Sequence, residues 1–226
     1  MSTPVSPARR YQPDLAYNIA LCHYCQKQYG PALKYIAEII EKGVREHPEL
    51  SVGSNTDGIE VRSVGNTQIL RETALVEAFN LKAAIEYSLS NHDAAKEALS
   101  DMPPRGEDEL DPVTLHNQAL MHMEDDPTAG FRKLNFLLQN PPFPPETFGN
   151  LLLLYVKHQY FDLAADVLAE NTHLTYKYLS PGLFEFLDAC IMVVTSPQVR
   201  VVAQCPACCC RTHMWYLGST GGVPEV

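Results

Sequence analysis

The 226-residue sequence predicts an all-α fold in which antiparallel helix pairs stack into a right-handed superhelix. Two observations predict this class. Apolar and small residues recur at helical spacing, and the same pattern begins again near residues 16, 79, 115 and 148, in steps of 63, 36 and 33 residues. A hydrophobic content of 46% supplies enough apolar surface for a core. Each helix pair alone would leave an apolar face exposed, so we expect neighbouring pairs to bury that face against one another.

The clearest copies of the pattern lie at the two ends of the array, at 16–36 and 148–168. Small residues such as Ala20 and Ala32 fall where two antiparallel helices would touch, and an aromatic residue fills the turn between them. This arrangement is typical of the tetratricopeptide repeat. The array is predicted to span 13–195, with repeats near 13–43, 73–103, 112–141 and 145–171 and an orphan helix at 181–195.

Three segments fall outside the repeats. Residues 1–12 are expected to be a flexible N-terminal segment. Residues 44–72 are expected to be an insertion loop, because this stretch is rich in turn signals such as Asp57-Gly58 and Gly65-Asn66. Residues 196–226 lack an amphipathic period and carry a cluster of cysteines, so we expect a poorly ordered tail there.

The charge and the apolar runs narrow the class of partner. Seventeen basic residues against 27 acidic ones give a net charge of −10, which does not favour nucleic acid or anionic membrane surfaces. No apolar run approaches the length of about 20 residues that crosses a bilayer. The first ten residues lack the apolar core of a secretory signal. We therefore expect a soluble intracellular protein with reduced thiols.

The residues with chemical potential do not assemble into a catalytic or cofactor-binding pattern, so we predict a scaffold and not an enzyme, with no cofactor. Cys205, Cys208, Cys209, Cys210 and His213 could in principle bind zinc. However, all five lie within nine consecutive positions, whereas structural zinc sites usually use two separated ligand pairs. We predict no metal site, although a metal- or redox-responsive regulator acting through this tail stays open as an alternative.

A pair of cysteines and one histidine on the predicted helices are expected to be structural and not catalytic residues. Cys22 and Cys25 are expected to lie with one thiol packed toward a neighbouring helix and the other near the groove. His92 takes the aromatic turn position of its repeat and is expected to be a packing residue.

The first helix of each pair lines the inner groove of such an array, so its exposed positions are the predicted contacts for an extended peptide. Tyrosines and apolar side chains at these positions suit a proline-rich ligand, whose stiff backbone loses little entropy on docking. The predicted groove residues are Tyr17, Leu21, Tyr24, Asn80, Ala84, Tyr87, His116, Leu120, Leu153 and Lys157. Several of them could instead pack against the next repeat.

Five loop and linker strings are more specific than the repeat itself. They are HPEL at 47–50, VRSVGNT at 61–67, DMPPR at 101–105, FPPETFGN at 143–150 and YFDLAAD at 160–166. From about Tyr11 to about Cys190, the chain resembles the tetratricopeptide-repeat protein 30 family. The resemblance implies a subunit of intraflagellar transport complex B that wraps a proline-rich segment of another subunit of that complex.

The same resemblance implies a location in the cilium, at the axoneme and basal body, and in the cytoplasm. It also implies roles in anterograde transport, cilium assembly and polyglutamylation of axonemal tubulin. Family members carry further repeats on both sides, so the resemblance implies a fragment or a truncated form. An inactive truncated product is a further alternative.

Overall fold

The computed structural model describes residues 11–53 and 62–195. Within these ranges the regular structure is entirely helical and contains no strand, which confirms the predicted all-α class. The chain divides into two compact units, an N-terminal unit of residues 1–110 and a C-terminal unit of residues 111–226. No helix within the described ranges is long and apolar enough to span a membrane.

The N-terminal unit contains five of the described α-helices and the C-terminal unit contains six. The five helices are α1 (Pro13–Cys25), α2 (Tyr29–Glu46), α3 (Gln68–Glu72), α4 (Leu75–Ser88) and α5 (His92–Ser100). The six helices are α6 (Pro112–His122), α7 (Pro127–Gln139), α8 (Glu146–Lys157), α9 (Phe161–Glu170), α10 (Thr172–Tyr178) and α11 (Pro181–Thr195). Two short 3-10 turns lie at Pro48–Leu50 and Glu107–Glu109.

Four helix pairs pack as hairpins, namely α1 with α2, α4 with α5, α6 with α7 and α8 with α9. Within each unit the second helix of one pair also packs on the first helix of the next, α2 on α4 and α7 on α8. The small residues predicted at the helix contacts, among them Ala20, Ala32, Ala95 and Ala164, have no exposed surface. Packed helix pairs of this kind form a tetratricopeptide-like array.

Three of the four hairpin turns share one backbone device. Lys27, Ser90 and Gln159 adopt left-handed φ angles of 59°, 65° and 63°, each two positions after the last residue of the first helix. The N–H of the next residue then donates to a carbonyl five positions earlier, as from Gln28 to His23, at 2.8 Å in all three turns. This hydrogen bond satisfies a carbonyl at the helix end that would otherwise lack a partner.

The segment 44–72 is more ordered than a simple loop. It contains the last turn of α2, a 3-10 turn and α3, while residues 54–61 lie outside the described ranges. Its described part is tied to the linker that follows α5. The N–H of Val64 donates to the carbonyl of Pro104 at 2.9 Å, and the N–H of Gly53 donates to that of Asp101 at 2.9 Å. Because these are long-range backbone contacts, the segment is anchored on the N-terminal unit.

The C-terminal unit is built around one apolar cluster, in which Phe148, Leu151 and Leu152 of α8 have no exposed surface. Helix α11 packs on α8 and α9. Helix α10 was not predicted, because it is short and only Leu174 of its residues is buried. The expectations about residues 1–10 and about the tail at 196–226, including the cluster from Cys205 to His213, lie outside the described residues.

Candidate peptide-binding surface

Tyr24 and Tyr87 mark the accessible part of the first helices in the N-terminal unit. Both are half-buried, and Tyr24 of α1 is hydrogen-bonded to Ser88 of α4. Burial raises the pKa of Tyr24, and the Ser88 hydrogen bond partly opposes that shift. Tyr87 contacts His92 edge-to-face with ring centroids 5.1 Å apart. Tyr24 therefore stays a neutral phenol near pH 7, with its ring held against the neighbouring first helix.

The ten predicted groove residues divide by burial. Six are buried, namely Tyr17, Asn80, Ala84, His116, Leu120 and Leu153. Leu21, Tyr24 and Tyr87 are half-buried and Lys157 is exposed. Within this chain, the last four are the predicted residues with side-chain surface available to a ligand, and the assignment of a peptide to them stays a prediction.

The buried members have partners inside their own units. The Asn80 amide donates to the Val76 carbonyl at 3.0 Å, one turn earlier in α4. Leu120 and Leu153 belong to the apolar cluster of the C-terminal unit. These contacts stabilise the hairpins and their stacking, and the assignment of these residues to the groove stays a prediction.

His116 links the first helices of two consecutive pairs. Its Nε2 lies 3.2 Å from the Nδ2 of Asn150, which is thereby assigned as the donor, and the side chain has no exposed surface. Burial lowers the pKa of His116 to about 3, so the imidazole is neutral at physiological pH. Its Nδ1 has no hydrogen-bond partner within the described residues. His116 therefore joins α6 to α8, and its assignment to the peptide groove stays a prediction.

An aromatic cluster at the turn between α8 and α9 was not among the predicted site residues. Phe131 of α7 stacks on Tyr155 with centroids 4.7 Å apart, and His158 and Tyr160 pack around this pair. Burial, followed by the charge of Lys157, lowers the pKa of His158. Tyr160 is exposed, so the cluster offers aromatic surface next to the predicted contact Lys157. Phe131 and Tyr155 are 24 positions apart in the sequence, and spacing alone could not show that they stack.

The described thiols and histidines named from the sequence do not come together as a metal-binding group. Cys22 and Cys25 are both free and both exposed, so the expectation that one of them packs toward a neighbouring helix is wrong. Cys22 and Cys25 are three positions apart and so lie on one face of α1, whereas Ala16 and Ala20 are on its buried face. His92 is exposed, and its ring contacts that of Tyr87 in a T-shaped arrangement. In the part of the chain that the structure describes, no three His, Cys, Asp or Glu side chains could hold a metal ion together.

A cavity in the C-terminal unit is lined by residues of α9, α10 and α11. We call it the α9–α11 cleft. It has a volume of about 600 Å³. Its surface is mostly apolar, and its lining includes Leu168, Tyr176, Phe184, Asp188 and Ile191. The sequence reasoning missed it, because it depends on α10 and on the angle at which α11 packs.

The matching family model and the similar proteins all carry the name intraflagellar transport protein 70. Residues 147–204 match the family model described as the intraflagellar transport protein 70 C-terminal domain. Intraflagellar transport protein 70A of Danio rerio is 75% identical to this chain over 188 residues, or 83% of the chain. Intraflagellar transport protein 70B is 71% identical in Mus musculus and 70% identical in Homo sapiens, each over 191 residues, or 84% of the chain.

The chain belongs to the intraflagellar transport protein 70 family. This confirms the resemblance carried by the loop strings, because tetratricopeptide-repeat protein 30 is another name for the same family. The chain spans 29% of the length of each of these relatives. The family match continues to residue 204, so the expected end of the resemblance near Cys190 was placed too early.

Proposed function

We propose that this chain is a non-enzymatic scaffold subunit of intraflagellar transport complex B that holds a proline-rich segment of another subunit. The observation that supports the transport role is the 75% identity to intraflagellar transport protein 70A over most of the chain. At that level of identity the helix contacts and the surfaces between them are largely shared. The proposed site of action is accordingly the cilium, at the axoneme and basal body, with a cytoplasmic pool.

The peptide-binding part of the proposal rests on the accessible aromatic residues of the first helices. Tyr24 and Tyr87 are both half-buried, and each contacts a neighbouring side chain, Tyr24 that of Ser88 and Tyr87 that of His92. Flat aromatic surfaces are what proline-rich ligands in the polyproline II conformation dock against. Because such a ligand is already extended before it binds, docking costs little conformational entropy. The neighbouring apolar side chain of Leu21 extends the same surface.

A role in polyglutamylation of axonemal tubulin would be indirect under this proposal. Among the described residues, no three His, Cys, Asp or Glu side chains lie close enough to hold a metal ion. A scaffold would act by delivering or positioning the enzyme that does so. The chain would then influence tubulin modification through complex assembly rather than through chemistry of its own.

Calorimetric titration of the purified chain with a proline-rich peptide from its complex B partner tests the proposal. The combined variant Tyr24→Ala and Tyr87→Ala should weaken binding by about tenfold or more, since aromatic anchors dominate such interfaces. Tyr35→Ala is the matched control, because Tyr35 lies on the second helix α2 and is also half-buried. A folded chain that does not bind the peptide would refute the binding role. Equal losses in the double variant and the control would refute the assignment of the surface.

A further inference from the structure

Ser63 joins the segment that precedes α3 to the linker that follows α5 through a side-chain contact. Its hydroxyl donates to the carboxylate of Glu109, 46 positions later in the sequence. That carboxylate also accepts from the N–H of Gly106 at 2.8 Å. The Ser63 bond first, and the Gly106 bond second, hold the pKa of Glu109 below its usual range, so the acceptor is charged at physiological pH. We call the contact between residues 63–66 and 104–109 the Ser63 latch.

Three more polar contacts belong to the latch. The N–H of Val64 donates to the Pro104 carbonyl at 2.9 Å. The Asn66 amide donates to the main-chain carbonyl of Glu109 at 2.8 Å, and its oxygen lies 3.5 Å from Nη1 of Arg105. All of these groups lie within the N-terminal unit. The latch therefore joins two stretches of that unit that are far apart in the sequence.

The position of Ser63 suits it to modification. The residue is exposed, and residues 62–66 form neither helix nor strand, so the hydroxyl can reach the catalytic groups of a protein kinase. Ser88 and Ser100 differ, because their hydroxyls donate to backbone carbonyls one turn earlier in their own helices, at 2.8 and 3.1 Å. Of these three serines, Ser63 is the one whose hydroxyl proton links two distant segments.

A phosphoryl group on Ser63 would turn an attraction into a repulsion. The side chain would lose the proton that it donates to Glu109 and would gain a charge of about −1.5 to −2 at pH 7. The 3-10 turn Glu107–Glu109 consists of three acidic residues, two of them exposed. The latch and the residue before it carry two cations, Arg62 and Arg105, which are fewer than the negative charges present after modification. Like-charge repulsion should therefore open the contact.

We propose that Ser63 is a phosphorylation site and that its phosphorylation opens the Ser63 latch. A serine kinase transfers the γ-phosphoryl group of a nucleoside triphosphate to Oγ. The Oγ–P bond forms, the bond from the γ-phosphorus to the bridging oxygen breaks, the nucleoside diphosphate leaves, and the hydroxyl proton passes to the base of the kinase. Residues 63–66 then move away from the linker. This site is separate from the aromatic surface proposed for the proline-rich segment, and it does not depend on that proposal.

The first test compares the full chain with a form that carries phosphoserine at position 63, installed by genetic code expansion. Hydrogen exchange of the Val64 amide, followed by NMR on a chain with nitrogen-15 in its valines, should be about tenfold faster or more, because this N–H is released from Pro104. Phosphoserine at position 90 adds the same charge at an exposed serine in the turn between α4 and α5, and it should leave the rate unchanged. Equal rates in all three forms would overturn the proposal. Slower exchange with phosphoserine at position 63 would also overturn it, since Arg105 would then hold the phosphate and keep the latch closed.

A second test identifies the carboxylate that repels the phosphate. In the form with phosphoserine at position 63, Glu109→Gln should restore most of the protection of the Val64 amide, because a neutral amide can donate to the phosphate. Glu107→Gln removes the same charge from the same turn and should restore little. Equal restoration by the two variants would show that general charge, and not the Ser63–Glu109 contact, controls the segment.

A third test asks whether kinases use the site. The full chain is expressed in eukaryotic cells in the presence of phosphatase inhibitors, and its phosphorylated positions are mapped by mass spectrometry. We expect a phosphate on the peptide that contains Ser63, and its loss in Ser63→Ala. A chain that is unmodified at Ser63 would overturn the assignment of the site, whatever other positions carry phosphate.

Discussion

Gly43 of α2 should be required for the packing of the first repeat on the second. It is buried at the contact between α2 and α4, where a Cβ atom would lie 2.8 Å from Cδ2 of Leu75 and 3.0 Å from its Cδ1 and Cγ. These separations are well inside van der Waals contact. Leu75 has no exposed surface, so it cannot simply turn into solvent. Gly43→Ala must therefore push α2 and α4 apart or force Leu75 out of its preferred rotamer.

Two opposing effects set the size of the change. Replacing glycine by alanine inside a helix is favourable by about 0.8–1.0 kcal/mol. Overpacking a close-packed contact typically costs about 1–3 kcal/mol. Because three atoms of Leu75 are involved, including its branch carbon, we expect the steric cost to win. The free energy of unfolding should fall by about 1 kcal/mol in Gly43→Ala.

Gly30→Ala is the matched control. Gly30 lies in the first turn of the same helix, and a Cβ atom there would meet nothing within 4 Å. This variant keeps the propensity gain without the clash, so its stability should equal or exceed that of the parent chain. Urea unfolding followed by far-ultraviolet circular dichroism compares the variants. Hydrogen exchange on peptides from α2 and α4 reports the change at this contact itself, since exchange measures local as well as global opening.

A double-mutant cycle tests the cause. Leu75→Ala alone should destabilise by about 2–5 kcal/mol, because it empties a buried site. In that background Gly43→Ala should become neutral or stabilising, since the new methyl group enters the vacated space. Additive effects of the two substitutions would refute the steric explanation. A Gly43→Ala variant as stable as Gly30→Ala would refute it as well.

Three further predictions concern hydrogen bonding and backbone conformation. The pKa of His116 is about 3 in the folded chain but about 6.5 in the unfolded chain, so the unfolded chain binds a proton that the folded chain does not. The free energy of unfolding should therefore fall as the pH drops from about 6.5 to about 3. His116→Leu should reduce that fall in urea titrations at several pH values, and an unchanged pH profile would contradict the assignment. Tyr155→Phe removes the 2.9 Å hydrogen bond that the Asn135 amide donates to the phenol and should cost about 1 kcal/mol, whereas Tyr160→Phe, with an exposed ring, should cost almost nothing. Gln159 adopts a left-handed φ angle, which glycine takes without steric cost. Gln159→Gly should therefore raise the free energy of unfolding by about 0.5 kcal/mol, seen as a higher midpoint of thermal unfolding. A lower midpoint would show that the turn is not strained.

The helical class could be read from the sequence because the repeat places small residues at the helix contacts. Ala32, Ala95 and Ala164 each fall twelve to sixteen positions after a small or aromatic partner on the first helix, and all three are fully buried. A hairpin turn between them is then the only way to bring the two faces together. The exact positions of the hairpin turns could not be predicted from the sequence. Glycine or asparagine usually marks a left-handed residue at a helix end, but here the residues are Lys27, Ser90 and Gln159.

The accessible surface was harder to predict than the fold. Helical register identifies the inner face of a first helix, but neighbouring helices decide how much of that face stays exposed. His116 and Leu120 are covered for this reason, although their positions along α6 match the inner face. The pairing of His116 with Asn150 joins residues 34 positions apart, and no local pattern indicates it. The α9–α11 cleft depends on α10, whose polar sequence gives no clear helical period.

The proposed aromatic surface relies on uncharged contacts, and its response to salt should therefore be small. Tyr24 and Tyr87 would hold a proline-rich segment through their aromatic rings, so the affinity should change little with ionic strength. Attraction between exposed charges, by contrast, is screened within about 10 Å at 0.1 M salt. An affinity that fell steeply as salt was added would therefore show that charge, and not aromatic docking, holds the segment.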